Sequence, residues 1–501
     1  MKTSAAAVAI FSLSLSSFGG ERGASQEFSR MVDNPVELRR FLYMMPKGGD
    51  LHNHLDGAIY AESYINWAAE DGKCIDLQAL AIHNPPCDLD AGRSPVADVQ
   101  NDGNVVNRII DGFSIRNYER REVSGHNQFF STFAKFIPAG SGREGDMLAE
   151  ASTRAARQNT GYLELMQSWG MFKAQFLANN AEFFDPSQPI PELLENASIT
   201  QLVEDTIRRL DAIENRWREV ARCAQTDSSP GCNVTIRYLA QVIRTRPRAQ
   251  VLAQTLLAVR LIAADDRYVG LNFVAPEDNP ITLRDHQWQM EQIAAAAMFL
   301  PDTKRNITLH AGELAMGLVP PEYLGRHVRQ AIEIAGARRI GHGVDIVHDP
   351  DYPGLMARMA NSAIAVEINL SSNDVILGIA GAEHPFETYR RHGVPMTLST
   401  DDEGVSRIDL THEYQRAVET YGLSYDEIKQ ISRNALTYSF LPGDSLYAAD
   451  GSARFVPACR TITPGVGAPE GECAAFLANN DKARLQWGLE ARFNTFESRF
   501  E

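Results

Sequence analysis

The chain has no excess of positive charge. Its 48 lysines and arginines stand against 64 aspartates and glutamates, a net charge of −16. A nucleic-acid partner needs a basic surface to meet phosphates, so none is expected. No cysteine pair has C-x₂-C spacing, which removes the zinc-finger type of metal site. No glycine-rich phosphate turn follows an early strand-like run, which argues against a doubly wound dinucleotide sheet. Low-complexity tracts and tandem motif repeats are also missing. Beyond the N-terminal stretch there is no long apolar run, so no membrane span is expected.

What remains has ordinary globular composition. At 44% hydrophobic residues, the 501 positions hold ample material for a core. That length suits two or three average domains or one α/β barrel with additions. Lys2, the apolar and small run Ala5 to Leu15, and Ser17-Phe18-Gly19 read as a signal peptide over about residues 1–24. The six cysteines fall in three sequence-local pairs: Cys74 with Cys87, Cys223 with Cys232, and Cys459 with Cys473. Six cysteines allow about fifteen connectivities, and local pairing suits disulfides that staple loops in an oxidising compartment. A secreted or periplasmic location is expected.

An amphipathic helix is expected from Glu27 to Met44, ended by Pro46. Strand-length apolar runs then recur at Asp50–His54, Gly161–Met166, Val234–Ile243, Tyr268–Val274, Asn306–Ala311, Arg339–Val344, Ala363–Leu370 and Pro395–Thr400. Helical patterns lie between most of them, such as Val251–Ala264, Gln287–Leu300, Glu322–Ile334 and Pro385–His392. Alternating strands and helices imply a parallel sheet, and eight such units imply an α/β fold of the (β/α)₈ TIM-barrel type. The barrel domain is placed at residues 25–440. A polar stretch around 71–120, with the first cysteine pair and Pro85-Pro86, reads as an insertion after the first strand. Residues 441–501 read as a C-terminal extension packed on the barrel. Phe129, Phe130, Phe133 and Phe136 read as core packing.

Barrel enzymes keep their chemistry at the C-terminal ends of the strands. Here those ends carry His52-Asn53-His54, His310-Ala311-Gly312-Glu313, Gly341-His342-Gly343, Glu367 to Asn373 and Asp401-Asp402. Four of only 12 histidines therefore sit where one barrel mouth would gather them. His52 and His54, at i and i+2, point to one face of a strand. Together with His310 and Asp401 they form an N₃O donor set suited to one Zn²⁺ per chain. Such a zinc makes hydroxide available near neutral pH. Glu313, three residues past a ligand, is placed to move a proton. His342 is placed to orient the nucleophile or stabilise charge, and Asp402 to position water or accept from a substrate N–H. Glu367 and Asn373 read equally well as barrel-mouth structure. The other histidines, His384, His286 and His327 among them, are taken as non-ligands.

With these motifs in hand, the sequence resembles the adenosine deaminase family of metal-dependent barrel hydrolases. The matches are Met45-Pro46-Lys47 leading to His52-x-His54-Leu55-Asp56-Gly57, then His310-Ala311-Gly312-Glu313, Gly341-His342-Gly343, Asn369-Leu370-Ser371-Ser372-Asn373, His384-Pro385 and Ser399-Thr400-Asp401-Asp402. They occur in family order between about Met45 and Tyr414. The secretory start and the cysteine-bearing insertion are similar to the secreted, growth-factor-related branch. The resemblance implies hydrolytic deamination at C6 of a purine, with adenosine or 2′-deoxyadenosine as substrate. Glu313 would protonate N1, His342 and Asp402 would orient the attacking hydroxide, and ammonia would leave. Asp56 would match the family position near the ribose 5′-hydroxyl, and Glu164 and Trp169 would line the pocket. One departure stands out. Where the family reads Asp-Leu-x-Gly, this chain reads Asn272-Phe273-Val274-Ala275-Pro276-Glu277. Ala275 keeps an N–H but adds a Cβ, Pro276 removes a donor, and Glu277 is available to the purine edge. This leaves open a deaminase of another purine or modified nucleoside. An extracellular binding or signalling protein on a retained barrel is the alternative of a different class. The expected partner is a small-molecule purine nucleoside, and a homodimer is left open.

Overall fold

In the computed structural model, residues 19–120, 122–180, 182–448 and 453–501 are described. The signal-peptide expectation falls mostly on residues 1–18, outside the described residues. Eight parallel strands occupy the expected places: β1 (Asp50–His54), β2 (Tyr162–Gln167), β3 (Thr235–Ile243), β4 (Tyr268–Val274), β5 (Thr308–Ala311), β6 (Arg339–His342), β7 (Ala365–Ile368) and β8 (Met396–Leu398). They pair in chain order as two four-stranded runs, β1 to β4 and β5 to β8. Two bridges join the runs. Leu271 of β4 pairs with Ile307 just before β5, and Asn53 of β1 pairs with Asp401 just past β8. At the second seam the Asp401 N–H donates to the His52 carbonyl and the His54 N–H to the Asp401 carbonyl, both at 2.9 Å. The ring therefore closes as a (β/α)₈ barrel. Both β2 and β4 are buried along their whole length, as strands covered on both faces must be.

The expected single helix Glu27–Met44 is instead two helices, residues 19–31 and Pro35–Met44. The Asn34 side chain accepts from the N–H groups of Val36 and Glu37, and Pro35 starts the second helix. A cap residue followed by proline outweighs continuous apolar periodicity. Just beyond, Lys47 Nζ donates to the carbonyls of Leu42 (2.5 Å), Met45 (3.1 Å) and Gln158 (2.8 Å). One buried ammonium thus ties the helix end to the turn before β2.

The segment between β1 and β2 contains a small antiparallel sheet with Cys74–Asp76 at its centre, flanked by Ala81–His83 and Arg93–Pro95. Disulfides Cys74–Cys87, Cys223–Cys232 and Cys459–Cys473 are all formed. The segment continues into helix Gly125–Gly140, which packs against helices Ala61–Glu70 and Leu370–Leu377. Its N-terminus lies so close to helix Leu370–Leu377 that a Cβ on Gly125 would stand 2.0 Å from the Val375 carbonyl oxygen. The C-terminal stretch forms helices Gly471–Asn479 and Asp481–Glu497. Glu497 accepts from Lys429 Nζ (2.6 Å) and Tyr425 OH (2.7 Å), which fastens the last helix to Tyr425–Thr437. No described helix is long and apolar enough to cross a membrane.

Candidate metal centre

His52 and His54 leave the end of β1, His310 leaves β5, and Asp401 follows β8. The Nε2 atoms of His52 and His54 lie 3.1 and 3.2 Å from Nε2 of His310. The same two atoms lie 3.3 and 3.2 Å from Asp401 Oδ1. Donors bound at 2.0–2.1 Å around a tetrahedral ion stand about 3.3–3.4 Å apart, so the spacing fits one zinc-sized cation.

The far nitrogen of each imidazole is anchored. His52 Nδ1 donates to Glu367 Oε2 (2.7 Å), His54 Nδ1 to Gln241 Oε1 (2.8 Å) and His310 Nδ1 to Asn272 Oδ1 (2.9 Å). A proton fixed on each Nδ1 leaves each Nε2 lone pair facing the common centre. Burial opposes the charge on Glu367. Even so, the Arg339 guanidinium (2.5 Å) and His52 hold its carboxyl down at about 2. Gly341 leaves room for this packing, since a Cβ there would sit 2.6 Å from His52 Cε1. Asp401 (φ 59°) and His342 (φ 68°) adopt the left-handed region that side chains disfavour. Such strain collects at functional sites.

Glu313, His342 and Asp402 surround this centre. Each has one buried polar atom without a hydrogen-bond partner: Glu313 Oε1, His342 Nε2 and Asp402 Oδ1. Buried polar atoms are nearly always satisfied, so three orphans in one place mark where a ligand's polar groups go. A relay sets the His342 tautomer. The Phe386 N–H donates to His384 Nδ1 (3.1 Å), leaving His384 Nε2–H to donate to Asn373 Oδ1 (3.1 Å). The Asn373 amide then donates to His342 Nδ1 (2.9 Å), so Nε2 carries the proton and faces Asp401. Neither His384 nor Asn373 is a ligand, yet both orient His342. Burial and then the nearby Asp401 and Glu277 carboxylates raise Glu313 well above its ordinary value. Burial likewise lifts Asp402 to about 8 against the pull of His54. Gly57 keeps this corner open, because a Cβ on it would overlap the Asp402 carboxylate.

A cavity of about 330 Å³ opens onto the centre. It is lined by His54, His310, Glu313, Asp401 and Asp402, and by Asp56, Ser168, Gln241 and Ala275. Phe129, Phe130, Phe133 and Ile137 of helix Gly125–Gly140 form its apolar wall with Phe172 and Ile376. Three of the four phenylalanines read from sequence as core therefore also serve the cavity, and Phe136 stays in the core. Their spacing on one helix face does not tell a core from a pocket wall. Ala275 sits at φ 83° and lines the cavity.

Three expected pocket residues stand elsewhere. Glu164 lies within the barrel, bonded to Arg339 (2.6 Å), the Tyr162 hydroxyl (2.8 Å) and the Phe440 N–H (2.7 Å). Its strand is buried on both faces, so strand position alone does not tell which layer a side chain joins. Trp169 lines a neighbouring cavity and packs on Tyr238. Glu277 is not at the cavity. It accepts from the N–H groups of Gly312 (2.9 Å) and Glu313 (2.8 Å) and from His327 Nδ1 (2.5 Å).

Comparison with known proteins agrees with this geometry. The sequence model described as adenosine deaminase matches residues 180–448, more than half of the chain. The chain belongs to the adenosine deaminase family. The adenosine deaminase of Klebsiella pneumoniae subsp. pneumoniae is 42% identical over 141 residues, 28% of this chain and 39% of that relative. The one from Salmonella schwarzengrund is 41% identical over 144 residues, 28% of this chain and 40% of the relative. The matched segment thus spans about two fifths of these relatives' length. Among solved structures, the arabidopsis N6-mAMP deaminase shares the fold, with a TM-score of 0.50 and 21% identity over 80% of this chain and 96% of that one.

Proposed function

We propose that the protein is a zinc-dependent deaminase of adenosine and 2′-deoxyadenosine, releasing inosine or 2′-deoxyinosine and ammonia. The observation that carries this reading is the ring of unpartnered atoms, Glu313 Oε1, His342 Nε2 and Asp402 Oδ1, around three converging imidazole nitrogens and Asp401. His52, His54, His310 and Asp401 would hold one Zn²⁺, which supplies a water made acidic enough to react near neutral pH.

The chain's own groups account for the remaining proton movements. Glu313, whose neutral form burial favours, donates to purine N1 and makes C6 electrophilic. Asp402 Oδ1 accepts a hydrogen of the attacking water, and His342 Nε2–H holds its oxygen against C6. As the C6–O bond forms and the C6–N bond breaks, one water proton passes to the departing amine and the other restores Glu313, while the proton given by Glu313 stays on N1 of the keto purine. Water and the nucleoside become the keto purine and ammonia, so the atoms balance.

The cavity wall selects the substrate class. Its acidic lining residues are Asp56, Glu313, Asp401 and Asp402, and no lysine or arginine is among the described residues that line it. A phosphate there would meet carboxylates without a counter-charge. An uncharged nucleoside is therefore favoured over a nucleotide, with Asp56 toward the ribose. Three formed disulfides support an exported protein. The test is turnover by purified protein across adenosine, 2′-deoxyadenosine, adenine and AMP, read by purine absorbance and ammonia. Adenosine and its deoxy form should be converted, with AMP at least 100-fold poorer in kcat/KM. Failure to convert any of the four with zinc present overturns the reading.

A further inference from the structure

We infer that Glu277 is a positioning residue whose carboxylate, clamped between Arg244 and His327, fixes the Gly312–Glu313 turn and so aims Glu313 at the substrate. The inference rests on the deaminase reading above for what Glu313 does, but its geometry stands alone.

The end of β5 and the turn after it carry two functional groups on four residues, the ligand His310 and the acid Glu313. Between them Gly312 sits at φ 82°, and a Cβ there would lie 2.6 Å from Asp345 Oδ1. Two successive N–H groups from this turn point at one carboxylate. Gly312 donates to Glu277 Oε1 at 2.9 Å and Glu313 to Oε2 at 2.8 Å. An ionised carboxylate receiving two backbone N–H groups makes strong, charge-assisted bonds.

The clamp on Glu277 is equally specific. His327 Nδ1 donates to Oε1 at 2.5 Å, and Arg244 Nη2 stands 3.7 Å from Oε2. Arg244 also donates to the His310 carbonyl (2.8 Å) and the Ala275 carbonyl (3.0 Å). One guanidinium and one carboxylate therefore lock the C-terminal ends of β3, β4 and β5 together. Both side chains are almost fully buried, at 1% and 0% exposure. A carboxylate so placed is costly without a purpose for its charge.

Glu277, His286 and His327 lie close enough to suggest a second metal site. The ring geometry excludes it. The two imidazoles stack at 3.7 Å with 8° between their planes. Lone pairs lie in the ring planes, so parallel stacked rings cannot both point at one ion. The cluster is a hydrogen-bonded clamp, and His286 braces His327 from behind.

The test is Glu277→Gln in the full chain. The amide keeps size but offers a donor where a second N–H already donates. The expected result is a fall in kcat of at least 30-fold on adenosine with KM within threefold and zinc retained at one per chain. Amide hydrogen exchange in the peptide containing Gly312 and Glu313 should accelerate at least tenfold, with the β1 peptide unchanged. An unchanged kcat, unchanged exchange, or zinc lost in step with kcat overturns the inference. Should this variant not fold, His327→Leu replaces it, with an expected 3- to 10-fold loss of kcat and the same local exchange. If the wild type deaminates nothing, the exchange result alone decides the positioning role. The two claims thus fail separately.

Discussion

Each imidazole on the metal side of the cavity has a fixed second partner, Glu367, Gln241 or Asn272, and the wall opposite has nothing comparable. That wall is made of Phe129, Phe130, Phe133 and Ile137 on one helix, with Val274 from the end of β4 and Ala275 and Pro276 beyond it. Three strand ends that converge only because the barrel closes supply the metal ligands. The four helix residues of the wall belong to the segment between β1 and β2, which also carries the Cys74–Cys87 disulfide. The first region is organised by directional bonds and tolerates little change. The second is organised by apolar shape, and its changes should alter which substrate is taken rather than whether reaction occurs.

The contrast can be broken most severely at Glu313. Glu313→Gln should lower kcat about 10³-fold with zinc content and folding intact, since a general acid of this kind contributes ~10²–10⁴. A loss below tenfold would remove Glu313 from the chemistry. Acid stability gives the next largest effect. Although burial opposes it, His327 and Arg244 hold Glu277 at about 2, below its ordinary 4.5. A depressed carboxyl adds stability that is complete above pH 4.5 and is lost as pH falls toward 2. Denaturant titrations across that window should show stability falling with pH, by up to about 3 kcal/mol from this group. The slope should flatten in Glu277→Gln. Glu367→Gln should weaken zinc binding by about 10–100-fold, as expected for a partner one bond removed from the ion. A chelator competition measures it. Phe130→Ala on the opposite wall should raise KM for adenosine about tenfold with kcat within threefold, the signature of lost uniform binding. If Phe130→Ala instead abolished turnover, the division between the two sides would fail.

The barrel was legible because each strand is a short apolar run between helical patterns, and all eight were placed within a few residues. His52, His54, His310 and Asp401 were legible because strand ends in a closed barrel must meet. The break at Asn34-Pro35 was also written in the chain, as a cap followed by proline, but apolar periodicity masked it. Glu277 was not legible. Its partners lie 35 and 50 residues away, and only the turn geometry at Gly312 reveals which way its carboxylate faces. Glu164 fails for a related reason. Several inward layers fill a barrel, and here Arg339 draws Glu164 into an ionic layer with Glu367. Ala275 stands out in the sequence as a departure from the family's glycine. Its cost could be judged only once its left-handed backbone was seen.

The central claim is that three imidazoles and one carboxylate form a single-metal deaminating centre. The most direct measurement is to strip the protein with a chelator, add Zn²⁺ in measured steps, and follow ammonia release from adenosine. Activity should rise linearly and saturate at one zinc per chain. Full activity in the stripped protein, or a saturation point at two, would contradict the account.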